Sequence, residues 1–260
     1  MIKVSFFKNL YNYRELLKTN IKKEIRGKYK GSWLGVIWTF LNPLLMLLVY
    51  SFVFPYILRV KVENYTMFMM IALIPWNFFT IAITGGVGCI VANDNLLKKV
   101  YFPREIIPIS VVTSALVNFI ITCVIMFGFI LTSGLGFSKY ALLMPIIIII
   151  QYIFTLGFVF ILSAITVFVR DVDHFVNVFL TLAFYGTPII YTPEMLPSKF
   201  QWIMKLNPMA QMIAAYRDIL YKKQFPDFTS LGIWFIIGLL ILIIGFLIFR
   251  RLEKRFAEEL

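Results

Sequence analysis

MPIIIIIQYIFTLGFVFIL, residues 144–162, holds nineteen positions with no charge and only three side chains, Gln151, Tyr152 and Thr155, with strong hydrogen-bonding groups. A membrane-crossing β-strand alternates apolar and polar residues, whereas this run is apolar all round, so it reads as a helix whose solvent is lipid. Asp, Glu, Lys and Arg are likewise absent from 31–58, 67–92, 106–138, 140–169, 175–193 and 228–249. Each run is long enough for the roughly 20 residues that cross about 30 Å of hydrocarbon. Six spans are therefore expected, near 31–58, 67–92, 106–133, 140–169, 175–193 and 228–249. The third and fourth form a hairpin that turns at Ser133-Gly134-Leu135-Gly136.

The whole chain has the same character. Of its 260 residues 60% are hydrophobic and 15% charged, more apolar surface than a soluble core of this size can hide. The first 30 residues are too charged, and lack the apolar core, for a cleavable signal peptide. The expectation is an all-α integral membrane protein: residues 1–30 as an amphipathic interface helix, and 31–260 as a six-span domain.

Charge orients the chain. With the N-terminus inside, that side carries nine Lys and Arg in 1–30, three in 93–105, Arg170 and four in 250–260, 17 against 8 on the other side. The positive-inside rule then places both termini in the cytoplasm. The net charge of +12 follows from that topology and calls for no nucleic-acid partner.

Three polar regions stand out. In residues 4–31, Phe7, Leu10, Tyr11, Leu17, Ile21, Ile25 and Tyr29 share about a third of a helical wheel, with most charges opposite, as in a helix on the inner leaflet. In the outer loop 194–227, Asn207 suits an N-cap and Pro208 the first helical position. Met209, Met212, Ile213, Tyr216 and Leu220 then make an apolar stripe, on a helix that rests on the outer leaflet or forms a lid over an exit. The third region is LLKKVYFPREIIP, residues 96–108. It is either a charged turn or a surface that a partner grips, because Val100, Tyr101 and Phe102 are interleaved with Lys98, Lys99 and Arg104.

Missing chemistry narrows the function. No G-x-x-x-x-G-K-[ST] phosphate loop occurs, so this chain has no such route to ATP hydrolysis. Gly85-Gly86-Val87-Gly88 lies within a span, where close helix packing explains it. His174 is the one histidine and has no His or Cys neighbours for a metal site. Cys89 and Cys123 fall within spans and read as packing residues. No span carries an acidic or basic residue of the kind that marks ion-coupled transport. The protein conducts passively, scaffolds, or takes its energy from a partner.

The stretch GKYKGSWLGVIWTFLNPLLMLLVYSFVF (27–54) resembles the start of the permease subunits of type-2 ABC exporters, in the branch that exports lipid-linked polysaccharides. LIPWNFF, NDNLLKKVYFPREIIP, VRDVDHFVN, TPIIYTPEMLP and LNPMAQMIAAYRDIL continue the likeness in order, from about Ile25 to the last span. The resemblance implies a homodimer that works with two copies of a separate cytoplasmic ATPase; ATP and Mg bind there, and this chain holds no cofactor. It implies a coupling segment within 93–105, on Asn95, Leu96, Lys98, Lys99, Tyr101, Phe102, Arg104 and Glu105, and a smaller contact at Arg170, Asp171, Asp173 and His174. It implies short re-entrant gate helices in 194–227, where Asn207, Pro208, Met212 and Tyr216 fall. Spans one and five would line the channel, with Trp38, Phe40, Tyr50, Phe54, Phe179, Phe184 and Tyr185 as aromatic surfaces for sugar rings. The implied substrate is an undecaprenyl-linked glycan, an O-antigen or similar polymer. Teichoic acid, or a small hydrophobic compound carried by the same fold, is the alternative. A membrane-embedded acyltransferase or a scaffold is a reading of another class; an enzyme of that kind calls for an intramembrane His or acidic pair, which the spans lack.

Overall fold

A computed structural model describes residues 11–27, 31, 33, 35–53, 62–99 and 102–259. Those residues form helices and turns, with no strand among them. In chain order the α-helices are α1 (Arg14–Gly27), α2 (Trp38–Phe52), α3 (Tyr65–Val87), α4 (Asp94–Lys99), α5 (Ile106–Thr132) and α6 (Met144–Thr166). They continue as α7 (Val172–Tyr185), α8 (Gln201–Leu206), α9 (Pro208–Leu220), α10 (Phe228–Leu252) and α11 (Phe256–Glu259).

Among the described residues, four helical stretches are long and apolar enough to cross a membrane: Tyr65–Val87, Ile106–Thr132, Lys139–Thr166 and Phe228–Arg255. In the first uncharged run, the described residues are helical over the 15 of α2. The fifth run differs from the expected 175–193. Its helix has 14 residues and ends at Tyr185, about 21 Å of rise against the 30 Å of hydrocarbon. Gly186-Thr187-Pro188, read from sequence as a bend, stops it. Proline has no N–H to continue the ladder and disfavours helical geometry in the residue before it.

Helix α3 lies at the centre, packed against α2, α5, α6, α7 and α9. Close approach rests on glycine. A Cβ on Gly86 would come within 2.6 Å of Val159 on α6, and one on Gly157 of α6 within 2.7 Å of the Leu242 backbone nitrogen on α10. Gly238 and Gly245 of α10 turn toward that same seam, the small-residue packing that membrane helices use where burial in lipid brings no gain. The far face of α10 exposes Ile233, Ile236, Leu240, Ile243, Ile244 and Leu247, a surface for acyl chains.

Long-range contacts sort the connecting segments to two ends of the bundle. At one end, Lys23 of α1 donates to Asn93 at 3.0 Å, Arg104 to the Glu253 carbonyl, and Phe168 meets Phe256 at 6.2 Å. At the other, Tyr65 donates to the Ile190 carbonyl at 2.9 Å, and Tyr140 stacks edge-on against Phe225 at 4.7 Å. Helix α1 packs against α5, with Leu16 and Leu17 against the core and Tyr11 exposed. Phe7, Leu10 and Tyr29 of the expected amphipathic face lie outside the described residues.

Candidate functional site

Chemistry-bearing groups collect in three places: the end that holds the termini of α1 and α10, the cleft beside α7, and the opposite end around α9.

At the first end, α4 carries Asp94 in its first turn and Lys98 and Lys99 in its last, matching the helix dipole. Asn95, Lys98 and Lys99 are exposed and Leu96 is half-buried. Residues 102–105 turn inward instead. Phe102 is 6% exposed and belongs to the apolar core. Glu105 is 2% exposed and pairs with Arg250 at 3.1 Å. Arg104 sits 5.8 Å from the Phe256 ring centroid. Arg104 and Glu105 thus fasten the segment to the end of α10 and the turn beyond it, and Phe102 is spent on the core, because a buried carboxylate needs a partner within the chain. Tyr101 lies outside the described residues. In the second expected contact, Arg170, Asp171 and His174 are exposed and Asp173 is half-buried, its carbonyl accepting from Asn177 at 2.8 Å.

Helix α7 separates two cavities. One, of about 730 Å³, is apolar and takes Phe175 and Phe179. The other, of about 380 Å³, opens between α2, α3 and α7 and takes Phe184 and Tyr185. Of the aromatic residues expected in one channel, Phe184 and Tyr185 therefore share a wall, and Phe179 stands on the other side of α7. Trp76, which falls in LIPWNFF with no role implied for it there, lines both cavities and meets the Phe184 ring edge-on at 5.9 Å. Trp38 is 37% exposed. Phe54 and the side chains of Phe40 and Tyr50 lie outside what is described.

The opposite end is the most buried. Asn207 caps α9, its Oδ1 accepting from the Ala210 N–H at 3.1 Å. Its Nδ2 donates to the Gly186 carbonyl at 3.2 Å and to the Thr187 hydroxyl at 3.0 Å. Pro208 takes the first helical position, and Met212 and Tyr216 are completely buried. Helix α9 is thus a core element wedged against α3 and α6, and neither of the surface roles expected for it describes its packing. Tyr216 donates its hydroxyl to Gln151 Oε1 at 3.1 Å, and Gln151 Nε2 donates to the Pro75 carbonyl at 2.8 Å.

Arg217, counted from sequence among the outer charges, is 4% exposed. Its guanidinium donates to the carbonyls of Phe68 at 3.3 Å, Pro188 at 2.5 Å and Ile189 at 2.7 Å. No described carboxylate pairs with it. The planar five-donor fork suits several acceptors held at fixed angles, where a lysine would reach fewer. One signal for this was present: Arg217 falls between Tyr216 and Leu220 on the apolar stripe of α9.

The fold defines an all-α, multi-pass membrane protein whose buried polar groups join helices, with no described cluster of metal-ligand type. Residues 15–221 match the family described as ABC-2 type transporter, and the chain belongs to that family. Its membership makes it the membrane component of a transporter that works with a partner ATPase. Among curated proteins it is similar to two described as O-antigen export system permease protein RfbA from Klebsiella pneumoniae, 37% and 36% identical over 97% of this chain and 97% of each relative. One of the same description from Myxococcus xanthus is 34% identical over 99% of this chain and 100% of the relative.

Proposed function

We propose that this chain is the membrane-spanning, channel-forming subunit of an ATP-driven exporter of a lipid-linked polysaccharide, an O-antigen or similar cell-surface glycan. Two copies pair and engage two copies of a separate cytoplasmic ATPase, which binds ATP and Mg. The chain itself carries out no hydrolysis. The observation that carries this reading is identity above a third, spread along nearly the full length, to permeases described by that export role.

A polymer on an undecaprenyl carrier is too long to be enclosed, so a continuous path between two copies suits it better than a closed site. Exposed Asn95, Lys98 and Lys99 with half-buried Leu96, and exposed Arg170, Asp171 and His174, are the groups at one end that an ATPase would contact. That end faces the cytoplasm, together with both termini. The carboxylate bond of Glu105 and the carbonyl bond of Arg104 would carry force from that contact into α10 and the bundle.

The test is co-purification with a candidate partner ATPase, combined with surface glycan analysis of a deletion strain. The reading expects a stable complex and loss of the surface polymer, restored by the intact gene. No complex together with unchanged surface polymer would end it.

A further inference from the structure

From Met67 to Cys89 every residue is buried except Asn77, Thr80, Ile81, Thr84, Gly85 and Gly88. Those positions fall at i, i+3, i+4, i+7, i+8 and i+11, a single stripe along the helix. A stripe turned to lipid carries large aliphatic side chains, as the open face of α10 does. The open face of α3 carries one such side chain, Ile81, and is otherwise polar or small, which suits a polar occupant better than acyl chains. It forms one wall of the cleft between α2, α3 and α7, and α7 adds Asn177 and Thr181 opposite.

The threonine hydroxyl protons in this cleft are already committed. Thr80 donates to the Trp76 carbonyl at 3.0 Å, Thr84 to Thr80 at 2.8 Å, and Thr181 to Asn177 at 3.0 Å. Asn177 donates its amide to the Asp173 carbonyl at 2.8 Å. The threonine oxygens keep lone pairs and the amides of Asn77 and Asn177 add N–H groups, so the wall is polar without carrying charge. None of the described residues lining the cleft is charged, and α2 contains no charged residue.

We propose that Asn77, Thr80 and Thr84 of α3, with Asn177 and Thr181 of α7, form the surface along which the polymer slides, and that they select an uncharged, hydroxyl-rich chain over a polyanionic one. This rests on the exporter reading above and names its substrate class. A neutral sugar donates O–H bonds to the exposed lone pairs and exchanges them with water as it moves. A phosphodiester backbone carries a negative charge at every repeat, and this wall holds no cation to offset its desolvation. Trp76, Phe184 and Tyr185 complete the wall with faces for sugar rings.

The experiment uses the full chain with its ATPase in liposomes loaded with undecaprenyl-diphosphate carriers. One preparation bears a neutral glycan and the other a poly(glycerol phosphate) chain; ATP-dependent translocation is measured for both. Unaltered protein is expected to move the neutral glycan and to leave the polyphosphate behind. Asn77→Leu, Thr80→Val and Thr84→Val together should lower neutral-glycan translocation at least about tenfold, the order expected when lone pairs that follow the moving chain are removed. The complex with the ATPase should still assemble, and Thr80→Ser, which keeps its hydroxyl, should translocate like the unaltered chain. A triple variant that translocates normally overturns the sliding surface. Unaltered protein that moves both polymers equally overturns the selection. Movement of neither polymer overturns the exporter reading itself and this inference with it.

Discussion

The guanidinium of Arg217 lies 3.4 Å from the centroid of the Phe68 ring and bonds to the Phe68 carbonyl in the same approach. A cation is thereby held between the first turn of α3, through ring and backbone, and the segment just past the end of α7, through the carbonyls of Pro188 and Ile189. Asn207 fastens the same break from the other end of α9. The length and exit direction of α7 thus depend on two polar side chains from an element that follows it by more than twenty residues.

Replacing Arg217 with Leu should leave buried acceptors unpaired at about 1–3 kcal/mol each. The purified variant is expected to unfold well below the unaltered protein in a thermal scan. Arg217→Lys should fall between the two, since an ammonium cannot span the same acceptors. Equal melting of all three would show that the carbonyls find other partners.

Sequence and structure part company most at this point. Uncharged runs located the long helices because bilayer thickness is a constraint that a single sequence registers directly. Asn207-Pro208 announced the start of α9, and the Met209-to-Leu220 stripe announced an apolar face. Nothing local told whether that face met lipid or protein, since both reward the same side chains. Arg217 satisfied its donors with backbone carbonyls from positions 68, 188 and 189, and backbone acceptors leave no trace in residue identity. The threonines of α3 were equally silent, because in sequence they are only isolated polar residues in an apolar helix.

The seam between α6 and α10 predicts a sharp glycine dependence. Gly157→Val places carbon where the Leu242 backbone lies, so the helices must separate, and overpacking of this kind typically costs about 1–3 kcal/mol. Gly128→Ala, with open space around its Cβ, should be neutral. Expression and detergent stability of the two variants make the comparison; equal behaviour would mean that the seam yields.

Phe102 separates packing from docking. Phe102→Ala opens a cavity in the core, where truncations of this size cost about 3–5 kcal/mol, and should lower stability before any ATPase is added. Lys99→Ala, at an exposed position, should leave stability unchanged and weaken ATPase binding by a few-fold. A Phe102→Ala protein of normal stability that fails to bind the ATPase would return that ring to the docking surface.

The Glu105–Arg250 pair is open to a double-mutant cycle. Glu105 is buried and Arg250 about a third exposed, so partial screening should hold the coupling to about 1–2 kcal/mol, between surface and buried pairs. Glu105→Gln and Arg250→Gln, singly and together, supply the cycle by denaturant unfolding. Strict additivity would show that the pair does not fasten the segment to α10.

The central claim is that this chain provides the path through which a partner's ATP hydrolysis moves a lipid-linked glycan. Its most direct measurement is transport in sealed liposomes that contain only this chain, its ATPase and the carrier-bound glycan. The account predicts glycan appearing across the bilayer only with ATP and only when both proteins are present. An assembled complex that hydrolyses ATP and leaves every glycan on its original side would contradict it.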